Sequence, residues 1–409
     1  MSSVIFRKGL DLKDAVAAKL AESYHSRLIE QIKAADFRFQ SGRLTVHLAR
    51  EFGFCYGVDR AVDYAYQTRE RFPDRPVYLT GEIIHNPHVN DRLRSLGIRF
   101  LTDPDVDSQA LGPADVVIIP AFGVTIAELE RLDRQGCTLV DTTCGSVLNV
   151  WKNVRRYARD GFTAVIHGKV SHEETRATAS QALVESGGHY LVVLDTREAG
   201  EVCKYIRNPG QPSAAAASGD PPGSRERFLG RFAFAVSEGF DPDRDLIRVG
   251  LANQTTMLMS ESLEVEAMFR SAMVDRYGEA ALVDHFRAFD TICSATQDRQ
   301  DAVVALLGER ALDLMIVIGG YNSSNTCNLA RICGDRLPTY HIAEPQCLDS
   351  PRAIRHRPLG SKTESTTLDW LPGGPVSVGL TAGASTPDNL VGAVVQTLDA
   401  FCHQTSKTD

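Results

Sequence analysis

Three cysteines of this 409-residue chain stand where an apolar strand gives way to a helix. Cys55 lies in Glu51-Phe52-Gly53-Phe54-Cys55-Tyr56-Gly57-Val58-Asp59-Arg60, after the alternating Leu44, Val46 and Leu48 and before the helical spacing Val58, Ala61, Val62, Ala65. Cys144 closes Leu139-Val140-Asp141-Thr142-Thr143-Cys144 ahead of Val147, Val150, Trp151 and Val154, and Cys293 closes Phe289-Asp290-Thr291-Ile292-Cys293 ahead of the run from Ala295 to Leu307. The positive field at a helix start favours a thiolate, the form that ligates metal. A lone cysteine is more often a small buried hydrophobe, but three repeats of one arrangement suggest a shared centre. Structural zinc takes four ligands, commonly in paired C-x-x-C knuckles, and the chain has no such pair. Three thiolates from separate segments suit a 4Fe–4S cluster with one iron open to substrate; the competing reading is three structural thiols. Cys137, Cys203, Cys327, Cys333, Cys347 and Cys402 fall inside helical or strand patterns and read as structural.

Two histidines also follow strands. His85 lies in Gly81-Glu82-Ile83-Ile84-His85-Asn86-Pro87, and His172 in His167-Gly168-Lys169-Val170-Ser171-His172-Glu173-Glu174. A single loop histidine is usually solvated or a cap, whereas one beside two carboxylates at a strand end is suited to proton transfer. Three hydroxyl-rich turns occupy equivalent places: Asn253-Gln254-Thr255-Thr256, Asn322-Ser323-Ser324-Asn325 and Ala384-Ser385-Thr386-Pro387-Asp388. Any one alone would read as an N-cap. Three at strand ends, with Gly319-Gly320 and Gly383 allowing close approach, point to an anion pocket of the diphosphate kind. Neither G-x-x-x-x-G-K-[ST] nor G-x-G-x-x-G occurs, which excludes a P-loop and a Rossmann site.

Such residues need a scaffold that brings strand ends together. Strands are expected at 44–49, 77–80, 115–120, 138–141, 163–167, 190–194, 247–252, 314–318 and 376–380, alternating with helices, which predicts α/β layers with parallel sheets. Thr125 with Glu128 reads as a capping box, and Thr386-Pro387 as N-cap and N1. In 1–43, Val16, Leu20, Tyr24, Leu28 and Ile32 recur every four residues, predicting an amphipathic helix packed on the body; Asp11, Asp14, Glu22 and Glu30 make it too acidic for a transit peptide. The Pro-, Ala-, Ser- and Gly-rich stretch 208–225 reads as a flexible insertion. A net charge of −8 argues against a general nucleic-acid binder. No apolar run reaches membrane-spanning length, and no secretory leader pattern opens the chain. Nine scattered cysteines fit reduced thiols in a cytoplasmic protein better than a disulfide scaffold.

Eight ordered motifs then resemble one family, the hydroxymethylbutenyl diphosphate reductases, in its longer plant and cyanobacterial form. They are Gly53-Phe54-Cys55-Tyr56-Gly57-Val58-Asp59-Arg60-Ala61, Glu82-Ile83-Ile84-His85-Asn86, Asp141-Thr142-Thr143-Cys144, His172-Glu173-Glu174, Gln254-Thr255-Thr256, Cys293-Ser294-Ala295-Thr296, Asn322-Ser323-Ser324-Asn325 and Thr381-Ala382-Gly383-Ala384-Ser385-Thr386-Pro387-Asp388. The likeness runs from about residue 44 to about residue 402. It implies three similar α/β domains in a trefoil around a central cluster: 44–144, 145–292 and 293–403, with a helical extension at 1–43 and a tail at 404–409. It implies a 4Fe–4S cofactor on Cys55, Cys144 and Cys293, the fourth iron taking the substrate hydroxyl. It implies diphosphate binding by His85, His172, Thr255, Ser323, Ser324, Asn325 and Ser385, and a proton path through Glu174 and Thr255. The activity implied is the reductive dehydroxylation that ends the methylerythritol phosphate route to isoprenoids, with reduced ferredoxin or flavodoxin as electron donor and neither nucleic acid nor membrane as partner.

Two positions depart from the family pattern. Phe122 stands in Pro120-Ala121-Phe122-Gly123 where short members carry His, and Gly145 stands where Pro usually follows the cluster cysteine, an exchange expected to loosen that turn. Outside the leading reading lie a related 4Fe–4S dehydratase of another phosphorylated substrate, and a non-catalytic iron–sulfur sensor. A sensor would need neither Glu174 nor the hydroxyl-rich turns.

Overall fold

The computed structural model describes residues 4–209, 224–289 and 291–404. The insertion expected at 208–225 and the tail at 404–409 therefore fall largely outside the described residues. Among the described residues three sheets with parallel cores carry the chain, beside a two-stranded antiparallel sheet of Ala353–His356 and Ser365–Leu368. In the first, the strand order is Ile5–Phe6, Thr138–Asp141, Val116–Ile119, Val77–Leu79, Ile98–Phe100. The second runs Phe286–Ala288, Val249–Asn253, Thr163–His167, Tyr190–Val193. The third runs Thr339–Ile342, Leu314–Ile318, Val376–Ala382, Leu44–Leu48, with Arg38–Ser41 added antiparallel at its edge. Every residue of Val116–Ile119, Thr163–His167, Val249–Asn253 and Leu314–Ile318 is buried. That is the mark of a parallel strand covered by helices on both faces, and it explains why these segments read as continuous apolar runs.

By compactness the described chain divides into two units. One comprises Met1–Ala121, Arg134–Thr142 and Ser294–Asp409 and holds the first and third sheets; the other comprises Phe122–Asp133 and Thr143–Cys293 and holds the second. The strand Leu44–Leu48, expected to open the first of three domains, lies in the third sheet instead, in parallel register with Val376–Ala382. Its alternating burial fits a strand one place from the sheet edge, and nothing local in it could name a partner more than 300 residues away.

The helical part of the extension is two helices, not the single one expected. Lys13–Tyr24 ends at His25, and Arg27–Ala34 begins behind Ser26, whose side chain accepts the Ile29 N–H. Val16 and Tyr24 join the core of the first sheet with Ala61, Val62 and Leu93, while Ile29 and Ile32 join that of the third with Val391, Val394 and Leu398. One straight helix cannot serve two cores, and the extended His25 (φ −87°, ψ 158°) makes the break.

Candidate active site

In the first unit, four loops at the ends of parallel strands converge, the position where α/β folds bind ligands. Cys55 caps the helix Tyr56–Arg71 with an extended backbone (φ −86°, ψ 164°), and its N–H donates to Ala384 O at 3.2 Å. Arg299 reaches from the helix Ser294–Glu309 to donate to Gly53 O at 2.7 Å. After Val77–Leu79 comes His85, whose Nδ1 faces Glu82 Oε2 at 2.8 Å. Asn86 then caps the helix Pro87–Ser95, accepting the Val89 N–H. Ser323 caps the helix Ser324–Gly334 by accepting the Thr326 N–H. The Ser385 hydroxyl donates to His85 O at 3.3 Å, and Asn325 Oδ1 accepts the Ala384 N–H at 2.9 Å. Thus Cys55, His85, Asn325 and Ser385 are fixed to one another largely through backbone atoms.

The glycines make this approach possible. A Cβ on Gly320 would lie 2.2 Å from His85 O, and one on Gly383 would lie 1.9 Å from Thr326 Oγ1. Asn325 is 2% exposed, and its Nδ2 has no hydrogen-bond partner among the described residues. A buried amide donor left so is costly unless a ligand accepts from it. Beneath the loop, His341 Nε2 meets Gly319 O at 3.0 Å, and burial pushes its pKa down to about 4, so the neutral ring donates to that carbonyl. Thr386, expected as an N-cap, donates to Ile318 O at 3.0 Å, and the helix starts at Asp388. Its hydroxyl is spent on tying the turn to the strand.

The second unit carries a buried carboxyl. Thr163–His167 leads through Gly168 to His172, which caps the helix Glu173–Gln181. Its Nδ1 accepts the Glu174 N–H at 3.1 Å, so the proton of the neutral ring sits on Nε2. Glu174, 2% exposed, receives the Thr255 N–H on Oε1 at 2.6 Å and the Thr255 hydroxyl on Oε2 at 3.1 Å. One residue thus engages both oxygens of the carboxyl. Cys293 is held by its N–H on Thr255 O at 3.2 Å, and Thr291 Oγ1 pins Asn253 through both N and O. Cys144 caps the helix Gly145–Arg159 at φ −62°, ψ 141°. Phe122 lies edge-on to the His172 ring at 5.3 Å, so this departure from the short-form pattern packs against a predicted ligand instead of supplying a donor.

Burial sets these three apart from most of the other cysteines. Cys55, Cys144 and Cys293 are half-buried, while Cys203 and Cys333 are buried and have their thiols pushed up to about 12 by desolvation. Cys327 is also half-buried, with Arg357 donating to its Sγ at 2.8 Å.

Comparison with known proteins supplies the context for this geometry. The model of the LytB protein family matches residues 46–399. The chain belongs to the LytB family. A Gloeobacter violaceus protein named 4-hydroxy-3-methylbut-2-enyl diphosphate reductase is 49% identical over 397 residues, which cover 95% of this chain and 91% of that one. A Thermosynechococcus vestitus protein of the same name is 45% identical, covering 97% and 94%. Among solved structures, one described as (E)-4-hydroxy-3-methyl-but-2-enyl diphosphate reductase, the terminal enzyme of the non-mevalonate pathway, superposes with a TM-score of 0.51 at 28% identity, covering 87% of this chain and 99% of its own. The Plasmodium falciparum E-1-hydroxy-2-methyl-but-2-enyl-4-diphosphate reductase shares the fold, with a TM-score of 0.57 at 19% identity.

Two residues of this LytB-family site escaped the sequence reading. Gln254 Oε1 accepts from Lys169 N and from Thr175 Oγ1, both at 3.1 Å, and Nε2 donates to Thr256 Oγ1 at 2.8 Å, so one buried amide staples the His172 loop to the Thr255 loop. Arg299 does comparable work behind Cys55. Gln254 stands in the Gln254-Thr255-Thr256 motif, yet only these hydrogen bonds disclose its role, and Arg299 has no local signal.

Proposed function

We propose that this chain removes the hydroxyl of 4-hydroxy-3-methylbut-2-enyl diphosphate reductively, yielding isopentenyl and dimethylallyl diphosphate as the last step of the methylerythritol phosphate pathway in the cytoplasm. The observation that carries the reading is Glu174, a buried carboxyl with both oxygens on Thr255, next to a histidine of fixed tautomer. The donor set fits a soft metal cluster: three half-buried thiols at helix starts, distinct from the buried ones. Cys55, Cys144 and Cys293 would hold a 4Fe–4S cluster with one open iron, which when bound supplies electrons and Lewis acidity for breaking the allylic C–O bond.

The chain's own residues do the rest. The diphosphate accepts from His172 Nε2–H, from Asn325 Nδ2, from the hydroxyls of Ser323, Ser324 and Ser385, and from His85. Donors at helix starts bind an anion without a full counter-charge. Glu174 delivers the proton that the departing hydroxyl needs, through the Thr255 hydroxyl to which it is bonded. Burial excludes bulk water from that carboxyl, so the proton is passed along a fixed path. Electrons arrive from reduced ferredoxin or flavodoxin. No helix among the described residues is long and apolar enough to cross a membrane.

The test is anaerobic. Purified, iron-loaded protein with reduced methyl viologen and the diphosphate substrate is expected to release both five-carbon diphosphates, with a change in its visible spectrum on substrate addition. Full iron loading with neither spectral change nor product would refute the activity.

A further inference from the structure

We propose that the exposed face of the helix Gly145–Arg159 is the docking surface for an acidic one-electron carrier protein; the proposal rests on the reductive reading above. Over its 15 residues this helix carries Lys152, Arg155, Arg156 and Arg159 and no Asp or Glu, in a chain whose net charge is −8. Val147, Val150, Val154 and Tyr157 face the core, while Gly145, Leu148, Asn149, Lys152, Arg155 and Arg159 are exposed at helical three- and four-residue spacing, forming one continuous stripe.

The bland explanation is that cations at a helix C-terminus offset the dipole. It accounts for Arg156 and Arg159, which lie in the last turn, and not for Lys152 or Arg155. Among the described residues no carboxylate forms an ion pair with either of those two; Arg155 Nε donates to the neutral Gln181 at 2.7 Å. Asp160 forms an ion pair with Arg159 at 3.7 Å, but it also accepts a hydrogen bond from Arg287 at 2.5 Å, so one carboxylate faces two arginines and the far end of the stripe stays basic.

Position gives the charge its meaning. The stripe starts at the residue after Cys144 and its first turn exposes Leu148, so an apolar contact sits one turn from a proposed cluster ligand, with cations beyond it. Lys152 is about 12 Å along the axis from Cys144. An apolar centre with a charged rim is how small, short-lived interfaces are built, and a single-sign field speeds encounter with a carrier of opposite charge. The other two cysteine helices lack this. Tyr56–Arg71 opens with Asp59, Arg60 and Asp63, and Ser294–Glu309 shows Asp298 and Asp301, its lone Arg299 being turned inward on Gly53. The reaction requires such a carrier twice per turnover. The allylic C–O bond breaks, oxygen leaves as water, a C–H bond forms, and two protons and two electrons are consumed while two reduced carriers are each oxidised by one electron.

The experiment uses iron-loaded protein driven either by an acidic plant-type ferredoxin or by reduced methyl viologen. Lys152→Glu with Arg155→Glu should lower kcat/KM for ferredoxin at least tenfold at low salt and leave the viologen-driven rate within twofold. Calorimetric binding of oxidised ferredoxin should weaken in parallel, and in the wild type should weaken as salt is raised. Unchanged ferredoxin-driven turnover and binding overturn the proposal. So does a loss confined to binding of a duplex oligonucleotide. If the double variant also loses viologen-driven turnover, Lys152→Glu alone decides: selective loss with ferredoxin upholds the surface, and parallel loss overturns it. A wild type inactive with viologen would refute the reaction instead, and ferredoxin binding would then judge the surface by itself.

Discussion

The loops of the two units reach the same end, a set of polar groups at the tips of parallel strands, by different means. In the first unit the fixing contacts run through the backbone: Cys55 N to Ala384 O, Ser385 Oγ to His85 O, Asn325 Oδ1 to Ala384 N. Gly320 and Gly383 leave no room for side chains there. In the second unit, side chains hold side chains: Glu174 on Thr255, Gln254 on Thr175 and Thr256. The difference teaches which properties each can have. A backbone cradle binds an anion with little dependence on pH, while a carboxyl–hydroxyl pair can hold and release a proton.

The largest expected effect ignores that division. Ser in place of Cys55, Cys144 or Cys293 should each remove most iron and all turnover, measured by iron analysis and product assay. A variant retaining both would release its cysteine from the cluster, and a protein holding stoichiometric zinc without iron would end the assignment.

Next comes the proton path. Glu174→Gln keeps the acceptor for the Thr255 N–H but lacks the proton, and should slow turnover at least about a hundredfold with the cluster and substrate affinity retained. A near-normal Glu174→Gln with an inactive Glu173→Gln would move the role by one residue. In the first unit, Asn325→Ala should act on KM, by about 1.5–3 kcal/mol, the range for a charge-assisted hydrogen bond. An effect on kcat alone would erase the contrast between the units.

His341 sharpens the comparison through pH. Its pKa is about 4 when folded, against an ordinary 6.5. Between these values the unfolded chain binds the proton and the folded chain does not. Its contribution is therefore full above about pH 6.5 and is lost as pH falls towards 4. Urea unfolding at pH 7 and pH 5 should show wild type losing about 2 kcal/mol more than His341→Asn over that interval. Equal losses would mean that His341 is not held neutral under the Gly319 loop.

The smallest effect concerns Gly145. It is the first residue of its helix and a Cβ there would meet nothing within 4 Å, while Cys144 already has the extended backbone a following proline demands. Gly145→Pro should raise stability by about 0.4–1 kcal/mol, seen as a higher Tm, with activity unchanged. Destabilisation would show that the turn needs glycine's freedom.

The sequence alone determined roughly where the expected strands lie and that Cys55, Cys144 and Cys293 stand at helix starts, because each is written in a few neighbouring residues: apolar runs and punctuating glycines. Only the tertiary structure decided which strands share a sheet. Leu44–Leu48 pairs with Val376–Ala382, and any apolar strand of the right length would have satisfied its local pattern. It likewise decided that the extension breaks at His25 to serve two cores, that Thr386 faces Ile318, and that Gln254 staples two loops. Register and hydrogen-bond partners across long stretches of chain depend on geometry that no local window contains. Periodicity tells a residue which face it occupies, and only the packed fold tells it what it touches.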